Sequence, residues 1–240
     1  MVVKSQIKLI RSLQQKKYRN QHGLFFVEGK KGVEALLQSN FEPHSIYTDQ
    51  VVLSNVPEAV LFETSSAEFE QMSFLKNPNG VLGVFHIPKP TAVDFEDWIL
   101  ALDALRDPGN LGTIIRLCDW FGIRHIVCSQ NTVDCYNPKV LQATMGSIAR
   151  VSITYTDLEE FLMTSKSPIY GAYMDGDSVY ESKLPAKGVV VLGNEANGIS
   201  DAVGALVEKK VAIPPYGGAT AESLNVATAG AILLNEIRRG

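Results

Sequence analysis

Three glycine-containing stretches, each directly after a run that predicts a β-strand, hold the residues of this 240-residue chain best suited to binding a ligand. They are Asp107-Pro-Gly-Asn-Leu-Gly112, Leu192-Gly-Asn-Glu-Ala-Asn-Gly-Ile-Ser200 and Ile213-Pro-Pro-Tyr-Gly-Gly-Ala-Thr-Ala-Glu-Ser-Leu-Asn225. Turns of this kind free backbone N–H and C=O groups, and glycine lacks the Cβ that would keep a flat ligand away from the chain. Segments after strands occupy the crevice where open α/β sheets bind ligands. An adenine-bearing cofactor suits such a place. None of the three reads Gly-x-Gly-x-x-Gly, and no Gly-x-x-x-x-Gly-Lys-Ser/Thr occurs, which sets aside a nicotinamide-dependent enzyme and a P-loop.

Charge points to a second kind of partner. Residues 1–31 carry eight basic side chains (Lys4, Lys8, Arg11, Lys16, Lys17, Arg19, Lys30, Lys31) against one acid, Glu28, whereas the whole chain has a net charge of −4. A basic segment on an acidic body attracts a polyanion, because each Lys or Arg near a phosphate releases condensed counterions. On charge alone, a solvated helix face explains the segment slightly better. The three cysteines, Cys118, Cys128 and Cys135, include no Cys-x-x-Cys pair, so neither a disulfide framework nor a zinc site is expected. With His125 they read as packing residues. No run reaches the roughly 18 apolar residues of a membrane span, and Met1 to Lys17 lacks a signal-peptide core, so a cytoplasmic protein with no membrane partner is expected.

These segments need a scaffold. At 45% apolar and 20% charged residues the chain is globular, and at about 100–200 residues per domain its length allows two. Ile7, Leu9, Ile10 and Leu13 predict a helix over 5–17. Strands are expected at 24–27, 45–48, 59–62 and 81–87, with helices at 32–39 and 66–72, the latter capped by Ser65 or Ser66. Pro88, Pro90 and the acidic run 94–97 mark a linker. The domains are thus 1–90 and 98–240, with 91–97 between them. Trp98 to Leu105 predicts a buried strand, and Leu111, Ile114, Ile115, Cys118 and Phe121 a helix with Asn110 as N-cap, followed by a strand at 124–128. Further strands at 151–155, 169–172, 189–192 and 210–213 alternate with helices at 138–145, 158–164 and 223–238. That alternation predicts a mainly parallel sheet covered on both faces.

The second part resembles the SpoU/TrmH group of S-adenosylmethionine-dependent RNA ribose 2′-O-methyltransferases, in the SPOUT superfamily. Its three motifs are matched in order by "DPGNLGTIIR" (107–116), "VVLGNEANGIS" (190–200) and "AESLNVATAGAILLNEIRR" (221–239), and the likeness includes "NPKVLQATMGSIARV" (137–151). The amino-terminal part, with "FFVEGKKGVEALL" (25–37), is similar to the ribosomal-protein-like α/β domain that binds substrate ahead of such catalytic domains. The resemblance implies an α/β catalytic domain with a deep carboxy-terminal trefoil knot. A reading from periodicity would have rejected a knot.

By the same resemblance, Leu192, Gly193, Asn194, Ile213 and Leu224 contact the cofactor, largely through backbone atoms. Arg116, Asn110, Glu195, Ser223 and Asn225 line the reaction centre. Methyl transfer from a sulfonium to a ribose hydroxyl is an in-line displacement that requires alignment of the two groups and relief of charge on the oxygen, and no metal. Guanidinium ions keep their proton in proteins, so stabilisation of the forming alkoxide or a neighbouring phosphate is the physical role for Arg116. Ser223 alternatively caps the last helix. Ala196 replaces a usual glycine, the loop from Gly217 to Ser223 is slightly long, and Pro215-Tyr216 stands where Pro-Met is frequent, all of which alter the pocket's shape. Arg11, Lys16 and Arg19 are candidates for RNA contact, whereas Phe26 reads as core. The expected partners are ribosomal RNA, with transfer RNA as the alternative, and a second copy of the chain. A non-catalytic RNA-binding protein would not need Arg116, Glu195, Ser223 and Asn225 together.

Overall fold

In the computed structural model, which describes residues 2–49, 53–54, 56–217 and 223–239, the helix expected over 5–17 is broken in two, α1 (Lys4–Ser12) and α2 (Lys16–His22). The break has a side-chain cause. The carbonyls of Leu13 and Gln14, which a continuous helix would use itself, each accept a hydrogen bond from Nη1 of Arg19 at 2.8 Å, and Gln15 is extended. Gly23, at φ 64°, ends α2 in the left-handed conformation that glycine tolerates. There follow β1 (Leu24–Glu28), α3 (Lys30–Leu37), β2 (Pro43–Thr48), β3 (Leu61–Glu63), α4 (Ser66–Met72) and β4 (Val81–His86). Where a strand was expected from residue 59, a short 3-10 turn at Glu58–Val60 comes first. Ser65 caps α4 in a reciprocal box with Glu68. The sheet order is β1-β4-β2-β3, and Phe26 is buried in its core with Ile10, Leu13, Phe69 and Leu82.

The second sheet begins with β5 (Ile99–Leu102), which stops short of Leu105 because Ala104 takes a positive φ of 55°. Next come α5 (Pro108–Trp120), β6 (His125–Ser129), α6 (Pro138–Thr144), β7 (Ser152–Thr156) and α7 (Leu158–Thr164). They are followed by β8 (Ile169–Ser178), β9 (Val189–Leu192), α8 (Asp201–Gly204), β10 (Lys209–Ala212) and α9 (Val226–Arg239). All strands in it are parallel, in the order β10-β8-β9-β5-β6-β7. Alternation along β5 and β9 serves both faces. Ile99, Ala101, Val189 and Val191 pack with Leu158 and Leu162 of α7, while Leu192 lies against Gly230 of α9. The three cysteines are buried thiols, and burial pushes that of Cys118 far up from its ordinary range. No helix among the described residues is long and apolar enough to cross a membrane.

Two ion pairs hold these parts. In the last turn of α9, Arg238 grips both carboxylate oxygens of Asp97 at 2.7 and 2.8 Å and donates to the carbonyls of Phe121 and Gly122 just past the end of α5. A cation there also suits the negative end of the α5 dipole. Hydrogen bonding from Arg238 holds the Asp97 carboxyl below its ordinary value of 3.8, so its contribution is present above that pH and is lost as pH falls through the lower folded value. Asp97→Asn should lower unfolding free energy at neutral pH by about 1 kcal/mol, given the pair's partial exposure. The variant and wild type should converge in acid denaturation. An undiminished gap in strong acid would contradict the assignment.

The other pair is buried. Chain contacts divide the molecule into residues 90–133 with 151–240, and residues 1–89 with 134–150. The stretch between β6 and β7 thus folds with the amino-terminal elements: α6 packs on β1, the Tyr136 ring lies 4.5 Å from that of Phe25, and Gly146, at φ 94°, abuts Ala35. Within this unit Nε of Arg19 donates to Oδ2 of Asp134 at 3.1 Å, and Nη2 donates to the same oxygen. Arg19 is 2% exposed.

Candidate active site

The order of the parallel sheet reverses at β5: β6 and β7 lie on one side, and β9, β8 and β10 on the other. Open α/β sheets bind ligands at the carboxyl ends of the strands flanking such a point, here β5 and β9. Asp107 caps α5, its Oδ1 accepting the N–H of Asn110 at 2.7 Å, and Pro108 occupies the first helical position. The expected cap, Asn110, therefore lies inside the first turn, with its side chain available to other partners. Its Nδ2 donates to Oε1 of Glu195 at 2.9 Å, and its Oδ1 accepts from Nδ2 of Asn225 at 3.0 Å. Asn225 in turn caps α9, its Oδ1 accepting the N–H groups of Ala227 and Thr228 at 3.0 and 3.2 Å. The helix expected from residue 223 accordingly starts at Val226, and Ser223 is not its cap. The cap fixes the polarity of the chain: Asn225 must present N–H to Asn110, and Asn110 must present N–H to Glu195. Residues from all three motifs are thus joined in one hydrogen-bonded chain that ends on the Glu195 carboxylate.

The loop after β9 is tight. Asn194 and Gly198 exchange backbone hydrogen bonds at 2.9 Å, and a Cβ on Gly193 would stand 2.2 Å from the carbonyl carbon of Gly198. The side chain of Asn194, a residue expected to meet the cofactor largely through its backbone, is engaged within the protein. Its Oδ1 accepts from Ala196 and Asn197, and its Nδ2 donates to the carbonyl of Ala104 at 2.7 Å. Leu192 is buried, and its carbonyl accepts the N–H of Asp103. Ile213 is half-buried past β10, while Leu224, 48% exposed, and Ser223 lie just ahead of α9. Gly218–Glu222, within the loop expected to be long, lie outside the described residues. Arg116 stands exposed on α5, six residues or about 9 Å of helix beyond Asn110, and makes no hydrogen bond to a described residue. The geometry thus joins Asn110, Glu195 and Asn225 and leaves Arg116 and Ser223 apart from them. One residue of the site escaped sequence reasoning: Asp103, a buried acid whose presence in the apolar run from Trp98 to Leu105 was its signal.

Of the candidate RNA contacts, Arg11 and Lys16 are exposed, and Arg11 lies 5.8 Å over the Phe74 ring. Arg19 is a correction. Its guanidinium is buried and spent on Asp134, Leu13 and Gln14, so it has no face to offer a phosphate.

A parallel sheet with a polar cluster at its reversal point, beside a loop that glycine lets bend sharply, defines an α/β protein built to bind a ligand at the carboxyl ends of its strands. The chain belongs to the SpoU rRNA methylase family, whose model matches residues 97–235, and a model of the MRM3-like substrate binding domain matches residues 4–83. A curated relative, the 23S rRNA (guanosine(2553)-2'-O)-methyltransferase RlmP of Bacillus subtilis, is 28% identical over 95% of this chain and 94% of its own. Among solved structures, a TrmH-family protein of Porphyromonas gingivalis superposes with a TM-score of 0.92 at 37% identity, covering 100% of this chain and 99% of that one. An S-adenosylmethionine-bound rRNA methyltransferase of Sinorhizobium meliloti gives 0.85 at 28% identity, covering 100% and 96%.

Proposed function

We propose that this protein is an S-adenosylmethionine-dependent methyltransferase that modifies a ribose 2′-hydroxyl of ribosomal RNA. The observation that carries this reading is the Asn225–Asn110–Glu195 chain beside the β9 loop, which draws all three motifs to one place. Residues 1–90 supply the RNA-binding domain, 91–97 the linker and 98–240 the methyltransferase domain, with residues 134–150 of the latter stretch packed among the amino-terminal elements. The working form is a cytoplasmic homodimer, and the carboxy-terminal chain is knotted.

The residues present fit the cofactor. The turn at Gly193 exposes backbone at the end of β9, and Ile213 and Leu224 add apolar surface from the adjoining loops. When bound, S-adenosylmethionine supplies a sulfonium methyl group whose transfer to the ribose oxygen leaves a neutral thioether and releases the hydroxyl proton. The chain's own part is placement and charge. Asn110, with its amide polarity fixed by Asn225, orients the Glu195 carboxylate, which accepts a hydrogen bond from the incoming ribose. Arg116, which makes no hydrogen bond to a described residue, stabilises the oxygen as its proton leaves, or the phosphate beside it. Ser223 completes the polar lining.

Gly193→Ala should weaken cofactor binding about tenfold or more, since its Cβ meets backbone rather than a yielding side chain. Unchanged affinity by calorimetry would dismiss the loop as the binding surface. The substrate is tested by incubating ribosomal and transfer RNA separately with labelled cofactor and hydrolysing in alkali. A 2′-O-methyl group blocks cleavage at its own nucleotide, so label in resistant dinucleotides from ribosomal RNA supports the reading. Label released as mononucleotides, or confined to transfer RNA, contradicts it.

A further inference from the structure

Asp103 lies one residue past β5 and is 6% exposed. A buried carboxylate needs donors, and Oδ2 of Asp103 accepts the backbone N–H of Ser200 at 2.8 Å. The next residue, Ala104, takes the other end of the same loop, its carbonyl accepting Nδ2 of Asn194 at 2.7 Å. Residues 194 and 200 are thus both fastened to adjacent residues of the β5 exit. That exit is itself held from β6. Oγ of Ser129 accepts the N–H of Ala104 at 2.8 Å and lies 3.1 Å from Oγ1 of Thr132, which donates to the carbonyl of Leu102. The positive φ of Ala104, costly for an alanine, is what turns its carbonyl and N–H to these two partners. Glu195 follows Asn194 directly, so the same fastening sets where its carboxylate meets Asn110.

We propose that Asp103 is a positioning residue for the cofactor loop: with the amide of Asn194 it clasps residues 193–200 to the end of β5, so that the loop is formed before the cofactor arrives. This rests on the methyltransferase reading and adds a residue to it. Asp103 touches no reacting atom. Its effect falls on cofactor affinity, because a loop that must order itself on binding subtracts that ordering from the binding free energy.

The test compares wild type with Asp103→Ala, Asp103→Asn and Ser200→Pro. S-adenosylmethionine affinity is measured by calorimetry, KM and kcat by methyl transfer to RNA, and loop order by amide hydrogen exchange without cofactor. Asp103→Ala should weaken cofactor binding and raise its KM about ten- to hundredfold, the worth of a hydrogen bond to a charged acceptor, with kcat changed less than about threefold. The Ser200 amide should lose protection. Asp103→Asn, whose amide oxygen still accepts that N–H but without the charge, should fall between wild type and Asp103→Ala. Ser200→Pro removes the donor at φ −62°, which proline accepts, and should match Asp103→Ala; it decides the matter if the alanine variant does not fold. Unchanged affinity, a fall in kcat alone, Ser200 exchange like wild type in Asp103→Ala, or an asparagine variant as weak as alanine would each overturn the proposal. If wild type itself binds no cofactor, the methyltransferase reading fails, and exchange at Ser200 still judges the clasp.

Discussion

Arg116→Ala should lower methyl transfer by about 10²–10³-fold while leaving cofactor affinity within about threefold of wild type. The magnitude is that of removing one preorganised donor from a developing oxyanion, and the split follows from where the side chain stands. Arg116 is exposed on α5 and takes no part in the hydrogen-bonded chain of Asn110, Glu195 and Asn225. Among the described residues none pairs with its charge, so its loss should cost neither fold nor loop. Arg116→Lys keeps the charge but loses the planar fork, and should recover only part of the rate. Steady-state kinetics with RNA and S-adenosylmethionine varied separately give the separation. A variant that retains full kcat, or one that loses cofactor binding in step with rate, would remove Arg116 from the reaction centre.

Asp134→Ala should destabilise the protein by about 3–5 kcal/mol, the largest effect expected from a single substitution outside the site. Removing the carboxylate leaves the Arg19 guanidinium, 2% exposed, with the carbonyls of Leu13 and Gln14 as its remaining partners. The double variant Arg19→Met/Asp134→Leu should recover most of the loss, since apolar side chains of similar volume can replace a buried ion pair with little penalty. Denaturant unfolding measures both. A loss below about 1 kcal/mol in Asp134→Ala, or a double variant no better than the single, would show that the pair does not hold the 134–150 stretch to the amino-terminal elements. Any weakening of RNA binding in Arg19 variants should follow stability, whereas Lys16→Ala should weaken RNA binding with stability unchanged.

Periodicity located nearly every element of the parallel sheet because β5, β6 and β9 are short apolar runs bounded by turn residues, and the alternation of strand and helix leaves few topologies open; β8 runs six residues past the expected 169–172 into an exposed polar stretch without that signal. It failed where a distant side chain decides local structure. The 5–17 segment has continuous helical spacing, yet Arg19 draws off the carbonyls of Leu13 and Gln14, and Arg19 is held for that task by an aspartate 115 residues away. The capping residues were misassigned for a related reason. Asn110 is a plausible cap in sequence, but Asp107 takes the cap and Asn110 is engaged with Glu195; Asn225, not Ser223, caps α9 while its amide nitrogen reaches Asn110. The candidate site was legible through its motifs as a set of residues, but not as a division of labour. Asn194 binds its own loop and Ala104, Asp103 binds Ser200, and neither role has a local signature, because each pairs residues about 90 positions apart or more.

The central claim is most directly tested by calorimetric titration of the purified protein with S-adenosylmethionine, with methyl incorporation into ribosomal RNA followed in the same preparation for wild type and Arg116→Ala. The account predicts saturable cofactor binding in both proteins and incorporation in wild type alone. Absence of cofactor binding in a folded wild-type protein that still binds RNA would contradict it, and would leave an RNA-binding protein on a methyltransferase scaffold.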